Sequence, residues 1–135
     1  MMIATAYMDN DRLRQLITET ATKMIEDQPG FWKFEFDGAL VFVMTDQSHN
    51  RMRIMTPVAE VSDISESGML VLMRANFDRA LDARYCVNEE TLWSAFIHPL
   101  QQLGNQQFLD ALGQVVTLAR NYGTSFSSGN LLFGG

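Results

Sequence analysis

Behind Asp9, Asn10 and Asp11, Leu13, Leu16, Ile17, Ala21, Met24 and Ile25 return at the spacing of one helical face. The three polar residues can accept from the free N–H groups of a first turn, so the pattern predicts an amphipathic helix that runs to the stop at Pro29-Gly30. At Phe31 the period changes to two. Trp32, Phe34 and Phe36 face one way, Lys33, Glu35 and Asp37 the other, and Asp37-Gly38 is a hairpin turn leading into a second strand, Ala39 to Thr45. After a polar turn at 46–50, Met52, Ile54, Thr56 and Val58 alternate with Arg51, Arg53 and Met55, which predicts a third strand and an antiparallel meander.

Residues 60–67 are polar and offer Ser65 or Ser67 as a cap for a second helix carrying Met69, Leu70, Leu72, Met73, Asn76 and Phe77. Two short strands follow, Ala83 to Val87 and Thr91 to His98, around the turn Asn88-Glu89-Glu90. The run Leu92-Trp93-Ser94-Ala95-Phe96-Ile97 is apolar on both faces. A strand of an antiparallel sheet ordinarily keeps one face wet, so this one calls for a central place and for cover from a helix or a partner. A last helix is expected from an Asn105 cap to Gly123, with Phe108, Leu109, Leu112, Val115, Val116, Ala119 and Tyr122 as its apolar stripe. The expected fold is α+β in the order α-β-β-β-α-β-β-α, an antiparallel sheet packed by helices. One domain spans 1–123, with a Gly/Ser-rich tail at 124–135 that contains Leu131-Leu132-Phe133.

Composition supports a single core. The chain has 135 residues, 47% of them hydrophobic, enough to fold without disulfide or metal. Its charge of −6, with Lys23 and Lys33 the only lysines, argues against nucleic acid and against an anionic membrane surface as partners. The lone Cys86 fits a reducing compartment, and neither a signal segment nor a membrane span is apparent, so a cytoplasmic location is expected.

Candidate chemistry is sparse. His49 and His98 stand at no ligand spacing, so no metal and no cofactor are expected. Cys86 with His98, near Arg84, is the combination on which a small enzyme or ligand-binding domain would rest. No signature surrounds Cys86, however, and between Tyr85 and Val87 it reads as a small buried hydrophobe. The carboxylates fall in turns and helix starts, so no catalytic residue is assigned. Arg51 and Arg53 share a strand face, and Arg74, Arg79 and Arg84 lie close in sequence. They could grip an acidic peptide or pair with Asp78, Asp82 or Glu60. Met52, Met55, Met69 and Met73 are candidates for an adaptable surface as well as for core filling.

In its order of elements, in the helix Leu70-Val71-Leu72-Met73-Arg74-Ala75-Asn76-Phe77, in the strand Ala83 to Val87 and in the step Ile97-His98-Pro99-Leu100, the chain resembles the type III secretion chaperone-like fold. That group contains the Tir chaperone family and the YbjN-type sensory regulators. The resemblance covers residues 10–122 and implies a non-enzymatic homodimer that holds an extended segment of a client protein in apolar grooves. A regulatory protein acting through protein contacts is the alternative. It further implies Met69, Leu70, Met73 and Phe77 at the dimer interface and Leu13, Ile17, Trp32 and Phe34 in the groove. The tail with its Leu131-Leu132-Phe133 departs from the group's pattern and could occupy its own or a neighbour's groove.

Overall fold

The computed structural model describes residues 7–78 and 80–123, so Arg79 and the tail with Leu131-Leu132-Phe133 lie outside the described residues. Along the chain come α1 (Asn10–Thr20), β1 (Lys23–Gln28), β2 (Phe31–Phe36), β3 (Ala39–Asp46), β4 (Arg51–Glu60), α2 (Glu66–Asp78), β5 (Arg84–Asn88), β6 (Thr91–His98) and α3 (Asn105–Arg120). The strands form one antiparallel sheet in the order β1-β2-β3-β4-β6-β5. The α+β class is as expected, and the element order gains one strand, β1.

That strand comes out of the helix expected to reach Pro29. Asp9 caps α1 by accepting from the Arg12 N–H at 2.9 Å, but the helix ends at Thr20 and Ala21 is extended. Thr18, Thr20 and Thr22 make this stretch a weak helix, because a β-branched side chain loses χ1 freedom against the preceding turn. Pairing with β2 satisfies the backbone instead, with Met24 opposite Phe34, Asp27 opposite Trp32 and a bulge at Ile25. Asp27 then ties the strand back to α1. It accepts from Arg14 Nε at 2.9 Å and from Trp32 Nε1 at 3.1 Å. The hydrogen bond from Arg14 holds the Asp27 carboxyl below its ordinary range, so its ionised form stabilises the fold. This contribution is complete above the unfolded carboxylate range of about 4 and is lost as pH falls through the lower folded value. An Asp27→Asn variant should therefore show a shallower loss of urea midpoint than the parent as pH falls below about 4; parallel curves would remove the pair from the acid response.

The hairpin turns follow their residue types. Asp37 and Gly38 both have positive φ, 51° and 80°, as a two-residue turn of matching twist requires, and Gly30 after Pro29 has φ 85°. Ser65 caps α2 by accepting from the Gly68 N–H at 3.0 Å. At α3 the expected cap moves by one residue. Gly104 occupies the N-cap, and Asn105, now helical, accepts from Arg12 Nη2 at 3.0 Å.

The apolar faces of α1 and α3 pack on one side of the sheet. Leu13 and Ile17 of α1 join Trp32, Phe34, Val41, Val43, Met52, Ile54, Leu92 and Phe96 from the strands, with Phe108, Leu112, Val115 and Val116 from α3 closing the core. Two buried hydroxyls lock α3 to the sheet, Ser94 Oγ on Val115 O at 2.8 Å and Tyr85 Oη on Leu118 O at 2.7 Å. Helix α2 stands at the β5 edge instead. Asn76 Oδ1 accepts from the Tyr85 N–H at 2.7 Å and Nδ2 donates to Tyr85 O at 3.0 Å, the pair of bonds a further strand would make. Asn76→Ala removes both of these bonds to Tyr85 and should cost about 2 kcal/mol in urea denaturation. A loss below about 0.5 kcal/mol would show that water replaces the amide at this edge.

Candidate protein-binding surfaces

Helix α2 buries only Leu72 and Ala75 fully. On its other side Leu70 is 50% exposed, Met73 46% and Phe77 89%, at the i, i+3, i+7 spacing of one stripe, and Leu81 beyond the helix end extends it. Of the four expected interface residues, these three stand free on the surface, whereas Met69 is half-buried and packs against the core. The exposed stripe lies on the helix that meets the sheet at its β5 edge.

A second uncovered surface is the sheet face turned away from α1 and α3. Cross-strand register assembles it in rows. One row reads Phe31, Met44, Arg53, Ile97; the next reads Lys33, Phe42, Met55, Ala95, Arg84; a third joins Pro57, Trp93 and Cys86. The rings meet edge to face, Phe31 with Phe42 at 6.1 Å and Phe42 with Trp93 at 5.6 Å, while Lys33 Nζ lies 5.6 Å from the Phe42 centroid. Between these side chains lies a concavity of about 460 Å³, reaching from Phe42 and Met44 to Cys86 and Val87. The sequence signals for this face were the two-sided apolar runs 92–97 and 40–44, of which only the first had been read as needing cover.

The groove expected at Leu13, Ile17, Trp32 and Phe34 is corrected by the structure. All four have no exposed surface and belong to the core between α1 and β2, so they hold the fold together and offer a partner nothing. The reason is geometric. Residues that alternate on β2 and those on the inward face of α1 are the natural filling between a helix and a sheet. The methionines do not form a common surface either. Met52 is in the core, Met55 belongs to the open sheet face, and Met69 and Met73 ride on α2.

Cys86 and His98 are not brought together. They sit on opposite faces of the sheet, Cys86 opposite Trp93 and His98 opposite Met52. The His98 ring stacks on Phe96 at 5.5 Å, with Nδ1 against Pro99 O and Nε2 against the Gln107 amide. Burial pushes the Cys86 thiol up, which favours the protonated, unreactive form. Among the described residues no three of His, Cys, Asp and Glu converge on a common point. Among the described residues Arg51, Arg53, Arg74 and Arg84 form no ion pair with Asp78, Asp82 or Glu60. Arg51 donates to Asn50 O, and Arg84 donates to Leu81 O and Ala83 O, at 2.7–3.0 Å. No described helix is long and apolar enough to cross a membrane.

This arrangement, three helices and an antiparallel sheet with α2 set apart at its edge, is the type III secretion chaperone-like fold. No protein-family model and no curated protein matches the chain. Solved structures do. The match to the ExsC-ExsE complex has a TM-score of 0.65 at 17% identity, over 85% of this chain and 94% of that one. The type III secretion chaperone SycH of Yersinia pestis, in complex with a fragment of YscM2, gives 0.61 at 13%, over 83% and 97%. The HopA1-SchA chaperone-effector complex gives 0.60 at 13%, over 84% and 88%. At these identities the likeness is one of fold.

Proposed function

We propose that this chain is a non-enzymatic, chaperone-like protein that acts as a homodimer and holds a segment of a client protein. The observation that carries the reading is the stripe Leu70, Met73 and Phe77, large apolar side chains left uncovered on a helix of a fold that in three similar structures is complexed with another protein. A soluble monomer gains nothing from such a patch, whereas an isologous contact buries it twice. The separation of Cys86 from His98 removes the pair on which an enzymatic reading of these two residues would rest.

Two measurements test the two parts. Sedimentation equilibrium of the full chain should return twice its 15.3 kDa mass; a single-chain mass at tens of micromolar rejects the dimer. Coexpression with the proteins encoded beside it should yield a complex in which one partner is protected from protease over a limited segment. Purification free of every such protein rejects the client.

A further inference from the structure

On α3, Leu109, Gly113, Thr117 and Asn121 recur at every fourth position and form one wall of a groove of about 520 Å³. Ala80, Leu81 and Ala83, on the link from α2 to β5, form the other wall. Gln114 ties the two together. Its Oε1 accepts from the Asp82 N–H at 2.8 Å, and its Nε2 has no partner among the described residues. Leu81 is 70% exposed and Leu109 half-buried, so part of the apolar lining is bare. Gly113 stands in the middle of the row. A methyl group there would meet nothing within 4 Å among the described residues, so their packing does not require glycine. Glycine is nonetheless the weakest helix former after proline, and its missing side chain deepens the groove where an incoming side chain would lie.

We infer that this groove seats the chain's own segment 124–135, with Leu131, Leu132 and Phe133 covering Leu81, Leu109 and the gap at Gly113. The inference goes beyond the client-binding reading and stands without it. Anchorage, length and chemistry select this occupant. Tyr122 packs against the core and fixes the take-off at Gly123, two residues beyond Asn121 in the groove wall. Leu109 and Asn121 lie about 18 Å apart along the helix axis. A Ser- and Gly-rich connection as long as 124–130 spans about 15 Å on average, which brings Leu131 to the far end of the groove. Residues 124–135 carry no charged side chain, so the segment enters beside Leu81 and Asp110 with no ionic group of its own to desolvate. Gln114 Nε2 is placed to donate to one of its carbonyls. Any other occupant must give up translational freedom that a tethered segment has already lost, and at the roughly millimolar effective concentration of a short tether weak contacts suffice.

A nitroxide on Gly134→Cys, in the full-length, isotope-labelled Cys86→Ser chain, tests the inference. The amide signals of Leu81, Leu109, Gly113 and Thr117 should lose most of their intensity relative to the reduced label. Those of Met24 and Glu26, on the opposite sheet edge β1, should keep theirs. Gly113→Leu fills the groove and should restore the lost signals. Should that variant fail to fold, replacing Leu131, Leu132 and Phe133 together by serine leaves every groove residue in place and should restore them as well. In a mixture of isotope-labelled chains without nitroxide and nitroxide-bearing chains without isotope, refolded together, the groove signals should stay at full intensity. Groove signals that keep their intensity in the singly labelled sample, a loss spread evenly over the chain, or a loss centred on Phe77 or on Trp93 would each overturn the inference. So would a loss that survives either set of substitutions in a folded protein. Loss in the mixed sample would assign the segment to a second copy's groove and overturn it too.

Discussion

Replacing Trp32 by alanine is expected to remove about 3–5 kcal/mol of folding stability, a large fraction of the 5–15 kcal/mol typical of a domain. The indole is the largest side chain with no exposed surface, and it sits opposite Asp27 on one side and Val43 on the other. Its removal leaves a cavity between α1 and the sheet. It also takes a donor from Asp27, whose remaining partner, Arg14, fixes α1 to β1. Trp32→Phe separates the two effects, since it keeps most of the volume and loses only the hydrogen bond; about 1–2 kcal/mol is expected. Urea denaturation followed by circular dichroism reads both. If Trp32→Ala stayed within 1 kcal/mol of the parent while losing a client, Trp32 would be a groove residue after all and the buried assignment would be wrong.

The strands and helices with strong local signals were legible in the sequence. Trp32, Phe34 and Phe36 against Lys33 and Glu35 mark β2, the Asp37-Gly38 turn fixes its register with β3, and the run from Thr91 to His98 is β6 as read. The first helix was overextended because Ala21, Met24 and Ile25 continue its spacing by coincidence. What ends it is a long-range term, the backbone pairing that the outer edge of β2 offers to residues 23–28, and no local window contains that. The same limit moved the α3 cap by one residue. Asn105 has the right side chain, but Arg12, 93 positions earlier in the chain, takes it.

The uncovered apolar surfaces were legible only in part. A helical stripe that is not needed for the core can be read from spacing, and Leu70, Met73 and Phe77 are indeed exposed. Which strand face meets the helices cannot be read in that way when both faces are apolar, as in β6 and β3. The choice depends on where α1 and α3 cross, which placed Leu92 and Phe96 inside and Trp93 and Ile97 outside. The most hydrophobic residues on α1 and β2 looked like a groove for the same reason that they form the core. Amphipathic patterning reports that a face must be covered and is silent on whether the cover comes from the same chain.

Phe77→Asp should convert the proposed dimer to monomers, weakening association at least about 100-fold. Phe77 is 89% exposed in the single chain, so covering it removes on the order of 150 Å² of apolar surface per copy, worth about 4 kcal/mol at 25 cal/mol per Å². In an isologous contact the residue enters twice, and aspartate both forfeits that gain and places two like charges in a desolvated seam. The isolated chain loses little, because substitutions at exposed positions shift stability by about 0.5 kcal/mol or less. Mass and stability should therefore part company, with the sedimentation mass halving while the unfolding transition of the monomer persists. Leu70→Asp and Met73→Asp, on the same stripe, should act in the same direction. A Phe77→Asp protein that keeps the dimer mass would place the seam elsewhere and leave α2 free for the client, in which case this substitution should abolish client capture without altering assembly.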